Sequence, residues 1–174
     1  MTTERSGMPT VARLHELFSV STNGDLVRKI SCRSKKATAG DVAGSPNAWG
    51  HLKVMVDGQM IYNHQVVWAM THGEWPTKAI DHVNGLKTDN RPDNLRLASS
   101  TENNHNRGVN RNNRTGFRGV SRDSRRNKFQ AQITVDGNHM YLGHFDSAEE
   151  ASRVYEAKAR ELHGDFYRDQ EVKP

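Results

Sequence analysis

A polar stretch over residues 77–107 carries the side chains best suited to chemistry. It contains 81–85 (DHVNG), 89–96 (DNRPDNLR) and 102–106 (ENNHN), with few aliphatic residues for a core. A carboxylate and an amide oxygen suit a hard cation such as Mg²⁺ or Mn²⁺ rather than zinc. A histidine directly beside the carboxylate can act as a base near neutral pH. On these residues alone, a turn-rich loop whose Asn and Asp side chains bond the backbone remains the alternative.

The positive charge of the chain is concentrated in one segment. Residues 105–128 hold eight Lys or Arg against one acid, whereas residues 1–104 hold 12 against 10. Arginines beside Asn and Gly favour a polyanionic partner, most often nucleic acid, with a solvated linker as the alternative. The candidate DNA-binding residues of this segment are Arg107, Arg111, Arg114, Arg118, Arg122, Arg125, Arg126 and Lys128.

Length and composition limit the class of protein. A chain of 174 residues with 34% hydrophobic residues suits one domain or two small ones with modest cores. It has no run of about 20 apolar residues and no N-terminal signal pattern, so we expect an intracellular protein. The single cysteine, Cys32, excludes an internal disulfide and a multi-cysteine zinc site, and no structural zinc is expected.

The elements predicted around the polar stretch are short. Asn23-Gly24 and Asp57-Gly58 each predict a hairpin, and the second hairpin spans residues 51–62. Residues 63–72 have helical length and end at Gly73. Asp81-His82 is predicted to lie on a strand, and a short helix capped by Ser99 or Ser100 is predicted to carry Asn103. The histidines without a partner pattern, expected to be structural or exposed, are His51, His72 and His163.

The C-terminal third predicts a small sheet and one helix. Residues 116–121, 128–135 and 139–143 are expected to be strands, the middle one by its period-two alternation. Ser147 with Glu150 begins a capping box for a helix over residues 148–163. Three strands and one amphipathic helix make a sheet with one covered face and one exposed face.

The motifs of the polar stretch resemble those of phage HNH endonucleases, in the variant with asparagine at the second and third signature positions. The resemblance covers residues 15–107 and rests on Asp81-His82, 89–96, the helix with His64, and 73–76 (GEWP). It implies an α+β fold with a ββα-metal nuclease domain. Gln65 departs from the arginine that usually follows the helix histidine, at a position expected to contact the substrate or the fold and not the metal ion.

The same resemblance implies a role for each site residue. His82 is the expected general base, and Asn94 is expected to hold its ring. Asp81 and Asn103 are the expected ligands of one divalent ion, most simply Mg²⁺ with Mn²⁺ possible. His105 is a rival ligand, although a solvent-exposed linker histidine is the simpler alternative. Hydrolysis by such a site leaves a 5′-phosphate and a 3′-hydroxyl.

Residues 115–168 resemble the plant APETALA-type, ethylene-response-factor DNA-binding domain. The resemblance rests on 117–120 (FRGV), 141–145 (YLGHF), 147–151 (SAEEA) and Tyr155. It implies a three-stranded sheet docked in the major groove. Several plant recognition positions differ here, so the plant sequence preference is not expected. The residues expected on the DNA-facing surface are Arg118, Lys128, Gln132, Thr134, His139 and Tyr141.

Together these patterns predict two domains and a DNA-cutting function. The expected segments are a flexible N-terminus (1–14), a nuclease domain (15–107), a basic linker (108–114), the DNA-binding domain (115–168) and a tail (169–174). We expect a phage-encoded, homing-type endonuclease acting on double-stranded DNA in a bacterial cytoplasm, as a monomer or weak dimer. A non-catalytic DNA-binding regulator and an RNA-directed nuclease are the alternatives.

Overall fold

The computed structural model describes residues 7–31, 37–106, 109–110, 112–135 and 137–169. The chain divides into two compact units, Met1–Ser99 and Ser100–Pro174, each with its own hydrophobic core. Helices and small antiparallel sheets are mixed, which confirms the predicted α+β class. In the part of the chain that the structure describes, no helix is both long and apolar enough to span a membrane.

The first unit begins with a helix and a three-stranded sheet. Thr10 caps the helix by accepting a hydrogen bond from the Arg13 N–H at 3.2 Å. Leu14, Phe18 and Leu26 are fully or almost fully buried and anchor these elements in the core. The elements are α1 (Val11–Leu17), β1 (Phe18–Val20), β2 (Leu26–Arg28) and β3 (Val42–Ala43), and the strands pair in that order.

A second sheet of the first unit leads directly into a helix. The turn at Asp57-Gly58 sets a register in which Lys53 lies opposite Tyr62. The predicted hairpin and helix are both confirmed, and the helix ends at Gly73 as expected. These elements are β4 (Ser45–Pro46), β5 (Leu52–Val56), β6 (Gln59–Tyr62) and α2 (Asn63–His72).

A two-stranded antiparallel sheet completes the first unit. Strand β7 (Ala79–His82) pairs with β8 (Leu95–Ala98), so that Asp81 lies opposite Arg96 and His82 opposite Leu95. The connection over residues 83–94 ends in one 3₁₀ turn, Pro92–Asn94. This connection contains most of the Asn and Asp residues that the sequence singles out.

The second unit contains a helix on one face of a three-stranded sheet. Val120, Ala131 and Ile133 from the sheet pack with Ala151 and Tyr155 from the last helix. That helix begins where the sequence predicts, because Ser147 Oγ accepts from the Glu150 N–H at 3.1 Å. The elements are α3 (Ser100–His105), β9 (Val120–Asp123), β10 (Lys128–Val135), β11 (Asn138–Phe145) and α4 (Ala148–His163), with β10 central in the sheet.

The N-terminal segment and the boundary between the units differ from the sequence-based expectation. Residues 11–14, expected to be flexible, are helical; Leu14 is buried, and Trp75 Nε1 donates to the carbonyl of Pro9 at 2.9 Å. The boundary between the compact units follows Ser99 instead of residue 107, because α3 packs against the 3₁₀ turn Gly164–Phe166. Both differences arise from tertiary contacts that short polar segments do not reveal.

Candidate active site

His82 is the last residue of β7, and its imidazole is buried with 4% exposure. Its Nε2 atom lies 3.0 Å from Oδ1 of Asn90, a side chain that is also buried. Because an amide oxygen only accepts hydrogen bonds, Nε2 carries the proton. The lone pair of the neutral ring is therefore on Nδ1, which makes Nδ1 the basic atom of His82.

Asn94 organises the chain that immediately follows His82. Its Oδ1 accepts from the Asn84 N–H at 3.0 Å, and its Nδ2 donates to Asn84 Oδ1 at 3.0 Å and to the Asp89 carbonyl at 2.8 Å. The Asn94 carbonyl accepts from the N–H of Val83 at 2.9 Å. A side chain with this many backbone contacts holds a polar loop in one conformation without a hydrophobic core.

The position of Asn90 is fixed from two sides. Next to it, Arg91 donates to both carboxylate oxygens of Asp89, at 2.9 and 3.0 Å, and this pairing lowers the pKa of Asp89 to about 2. On the other side, the turn between β1 and β2 reaches the same backbone. A β-carbon on Gly24 would lie 2.2 Å from the Arg91 nitrogen, and Gly24 has a φ of +80°. Only glycine meets both requirements at that position.

Three imidazole rings meet at the end of β7. Ring centroids of His51 and His64 lie 5.2 Å apart, those of His51 and His82 5.7 Å, and those of His64 and His82 5.2 Å. Each histidine contributes one ring nitrogen to a group in which the three nitrogens lie within 4.8 Å of one another. Such a group can bind a metal ion. Among the described residues, the buried Nδ1 atoms of His51 and His64 have no hydrogen-bond partner.

The surroundings keep two of these rings uncharged. Burial, with the neighbouring imidazoles of His82 and His51, lowers the pKa of His64 to about 3. Burial also lowers the pKa of His51, and Lys87 and His82 lower it further. A neutral imidazole is the form that offers a lone pair to a proton or a metal ion.

Asp81 is paired with Arg96 directly across the β7–β8 sheet. Oδ2 of Asp81 accepts from Nε of Arg96 at 2.9 Å and from Nη2 at 2.7 Å. The arginine compensates the buried carboxylate, whose charge would otherwise be costly.

Three of the four predicted site residues lie in the first unit: Asp81, His82 and Asn94. Asn103 is half-buried on α3, in the second unit. The sequence assigns Asn94 to the His82 ring. In the structure, Nε2 of His82 is hydrogen-bonded to Asn90, and Asn94 bonds the loop that follows His82. The side chain of His105 lies outside the described part of the chain.

Sequence reasoning missed His51, His64 and Asn90 as members of the site. A signal for the first two was present in the predicted hairpin. In this hairpin Lys53 lies opposite Tyr62. If the same register continues for two more residues, position 51 lies opposite position 64, so the two histidines come close together. The approach of His82 to this pair is a long-range contact, which the hairpin does not predict.

Comparison with known proteins identifies the family. The profile of the HNH endonuclease family matches residues 62–105, which contain α2, β7, β8 and α3. Protein 3.8 of Escherichia phage T7 is 33% identical over 106 residues, which make up 60% of this chain and 87% of that protein. Residues 62–105 of this chain therefore form an HNH endonuclease domain.

A second relative carries the family in its name. The uncharacterized HNH endonuclease L560 of Acanthamoeba polyphaga mimivirus is 27% identical over 110 residues, or 63% of this chain and 56% of that protein. No solved structure gives a significant match. The match of residues 62–105 to the HNH endonuclease family supports nuclease activity and implies DNA as the substrate. His64, His82, Asn90 and Asn94 all lie within the matched segment, and His51 precedes it.

The basic segment, residues 105–128, lies almost wholly outside the matched region. Arg107 and Arg111 fall outside the described residues. Arg114 is exposed, and Arg122, Arg125 and Arg126 are exposed around one cavity with Asp123 and Gln130. Arg126 pairs with Asp123 at 3.3 Å, so part of this positive charge is already compensated within the protein.

The open face of the C-terminal sheet carries four of the predicted DNA-facing residues in two cross-strand pairs. Gln132 lies opposite Tyr141, and Thr134 lies opposite His139 with Oγ1 and Nδ1 2.9 Å apart. All four are exposed. Lys128, at the start of β10, pairs with Asp146 at 3.1 Å.

Arg118 is not on this open face. Its guanidinium lies 6.0 Å from the Tyr167 ring centroid and is hydrogen-bonded to Tyr155, a core residue of α4. The reason is local, because Gly119 with a φ of +69° turns the chain before β9 begins. The strand alternation that was expected to orient Arg118 therefore starts only after it. The HNH family match ends at residue 105, before this sheet begins.

Proposed function

We propose that this chain is a metal-dependent DNA endonuclease in which His82 is the general base. The observation that carries the proposal is the buried hydrogen bond between His82 Nε2 and Asn90 Oδ1, inside the segment matched by the HNH family. With Nε2 protonated, Nδ1 is the ring atom that would take the proton from an attacking water. Asn94 supports this role by holding the loop that follows His82.

The residues for the cation are those with hard oxygen donors. A carboxylate on Asp81 and an amide oxygen on Asn103 suit Mg²⁺ or Mn²⁺. The donor chemistry fits such an ion, which would share the Asp81 carboxylate with Arg96. When bound, the cation would supply charge stabilisation at the phosphate and the leaving oxygen.

Phosphodiester hydrolysis at this site would leave a 5′-phosphate and a 3′-hydroxyl. The protein supplies a positioned base at His82 and, at Arg96, a cation that already neutralises Asp81. The base would activate the water that must attack an anionic phosphate, and a cation held by Asp81 would stabilise the charge that develops in the transition state.

We further propose that the C-terminal unit selects the DNA. Its open sheet face presents amide, hydroxyl, imidazole and phenol groups that can read base edges, and its exposed arginines can contact phosphates. This division of labour is that of an ethylene-response-factor-type reader attached to a nuclease, as in a homing enzyme. The phage relative is in keeping with a mobile phage gene.

The experiment that tests the proposed function is cleavage of supercoiled plasmid by the full chain, with Mg²⁺ or with EDTA. Conversion to nicked or linear DNA with Mg²⁺ alone supports a metal-dependent endonuclease. Absence of conversion with Mg²⁺ and with Mn²⁺, by protein that binds the same plasmid, would point to a DNA-binding regulator.

A further inference from the structure

The imidazoles of His51, His64 and His82 form a group that the endonuclease reaction described above does not use in full. The reaction needs one histidine, yet three rings converge with nitrogens within 4.8 Å of one another. His64 is 8% exposed, and its buried Nδ1 atom has no hydrogen-bond partner among the described residues; the same holds for Nδ1 of His51. A buried polar atom without a partner is costly unless something binds it.

We propose that His51, His64 and His82 bind one divalent transition-metal ion of the zinc class, and that the bound ion inhibits DNA cleavage because it occupies the basic nitrogen of His82. The inhibitory part of this proposal rests on the proposed function, whereas the metal site does not. It is a different site from the oxygen ligands Asp81 and Asn103.

The donor chemistry selects the class of ion. Three imidazole nitrogens suit Zn²⁺, Co²⁺ or Ni²⁺, whereas Mg²⁺ prefers oxygen ligands. With metal–nitrogen bonds of ~2.0–2.1 Å, a tetrahedral ion holds its ligand nitrogens ~3.4 Å apart. The nitrogens here lie within 4.8 Å of one another, so they would have to move closer together to bind one ion. Three protein ligands leave one position for water.

The surroundings of His82 are those of a ligand histidine. Its Nε2–H donates to Asn90 Oδ1 at 3.0 Å, and metal-binding histidines usually donate their second ring N–H to a carbonyl or carboxylate in this way. That hydrogen bond directs the lone pair onto Nδ1. The atom that would take a proton from water is therefore the same atom that would bind the metal ion, and the two roles exclude each other.

The binding test titrates the metal-free full chain with Co²⁺ and then Zn²⁺ against a chelating dye. We expect one ion per chain, with a visible Co²⁺ spectrum of nitrogen and oxygen ligands and no thiolate band. His51→Ala and His64→Ala should each weaken binding by at least ~10–100-fold, the usual cost of losing even a supporting residue. His72→Ala is the matched control, since His72 is an exposed histidine on the same helix as His64.

Circular dichroism identifies any variant that fails to fold, and His51→Gln and His64→Gln then replace the alanine variants with side chains of closer size. Binding that is unchanged by all His51 and His64 variants, or a thiolate band from Cys32, would overturn the site.

The inhibition test measures Mg²⁺-supported plasmid cleavage with and without one equivalent of Zn²⁺. Zinc should suppress cleavage by the wild-type protein and suppress it less in His51→Ala. If zinc binds but leaves cleavage unchanged, the inhibitory part of the proposal is wrong. If zinc binds and no metal supports cleavage, the proposed function fails while the histidine site stands.

Discussion

A β-carbon on Gly24 would lie 2.3 Å from the carbonyl carbon of Asn90. The turn between β1 and β2 therefore touches the residue that orients the His82 ring. Gly24 lies 58 positions before His82 in the printed sequence, yet its lack of a side chain determines how closely the first sheet approaches the loop after β7. The N-terminal sheet is thus part of the support of the candidate active site.

Gly24→Ala should destabilise the protein and misplace Asn90. We expect the φ of +80° and the overlap with the Asn90 and Arg91 backbone to lower the free energy of unfolding by more than ~1–3 kcal/mol. Gly58→Ala is the matched control, because Gly58 has a φ of +86° and no atom within 4 Å of the added carbon. Urea unfolding compares the two variants; equal losses would show that the contact with Asn90 contributes nothing.

Asn90→Ala should slow DNA cleavage by ~10–100-fold, as the loss of a residue that orients an active-site histidine commonly does. Asn90→Asp keeps an acceptor for the His82 Nε2–H and should retain more activity than Asn90→Ala. Nitrogen chemical shifts of the His82 ring report its tautomer directly. A wild-type rate together with an unchanged tautomer in Asn90→Ala would show that the ring is held by something else.

Asp81→Asn and Asn103→Ala should each raise the Mg²⁺ concentration needed for cleavage and lower the rate, and EDTA should stop cleavage. Asp81→Asn preserves the shape of the side chain, which matters because Arg96 is paired with it. Asp93→Asn is the control, since Asp93 is an exposed carboxylate in the same loop. Full cleavage in EDTA would reject metal dependence.

Gln132→Ala and Tyr141→Ala should change which sequence is cut, because each good base contact is worth ~1–3 kcal/mol of discrimination. Arg125→Ala should weaken binding evenly across sequences and lower the magnitude of the salt slope by about one. Arg153→Ala removes the same charge from the exposed side of α4 and should do neither. Binding to target and scrambled duplexes at two salt concentrations measures these effects; unchanged site choice in both sheet variants would show that the open face does not read DNA.

The elements predicted correctly from the sequence are those whose signals are local. Helix α4 is bounded by the Ser147 cap and by Gly164, and the β5–β6 hairpin by its two-residue turn. Helix α1 escaped prediction because seven residues carry too little periodicity; its stability comes from burial of Leu14 in the core. Local patterns determine where such elements begin and end, but not which of them pack together.

The candidate site was predictable only in part for the same reason. The Asp81-His82 pair and the Asn94 loop are contiguous motifs. Asn90 acts through a hydrogen bond across eight residues, and His51 reaches His82 through packing between separate sheets. Arg118 was predicted by strand alternation to lie on the open face of the sheet. The turn at Gly119 changes the chain direction before the strand begins, and Arg118 lies near Tyr167.

The most direct test of the central claim compares His82→Ala with the wild-type protein on one supercoiled plasmid with Mg²⁺, measuring the cleavage rate and the binding affinity together. Loss of a general base costs ~10²–10⁴-fold in rate. We predict a loss of that size with binding retained, because His82 is buried and accepts a proton rather than holding a phosphate. Cleavage within a few-fold of wild type by the folded variant would contradict the assignment of His82 as the base.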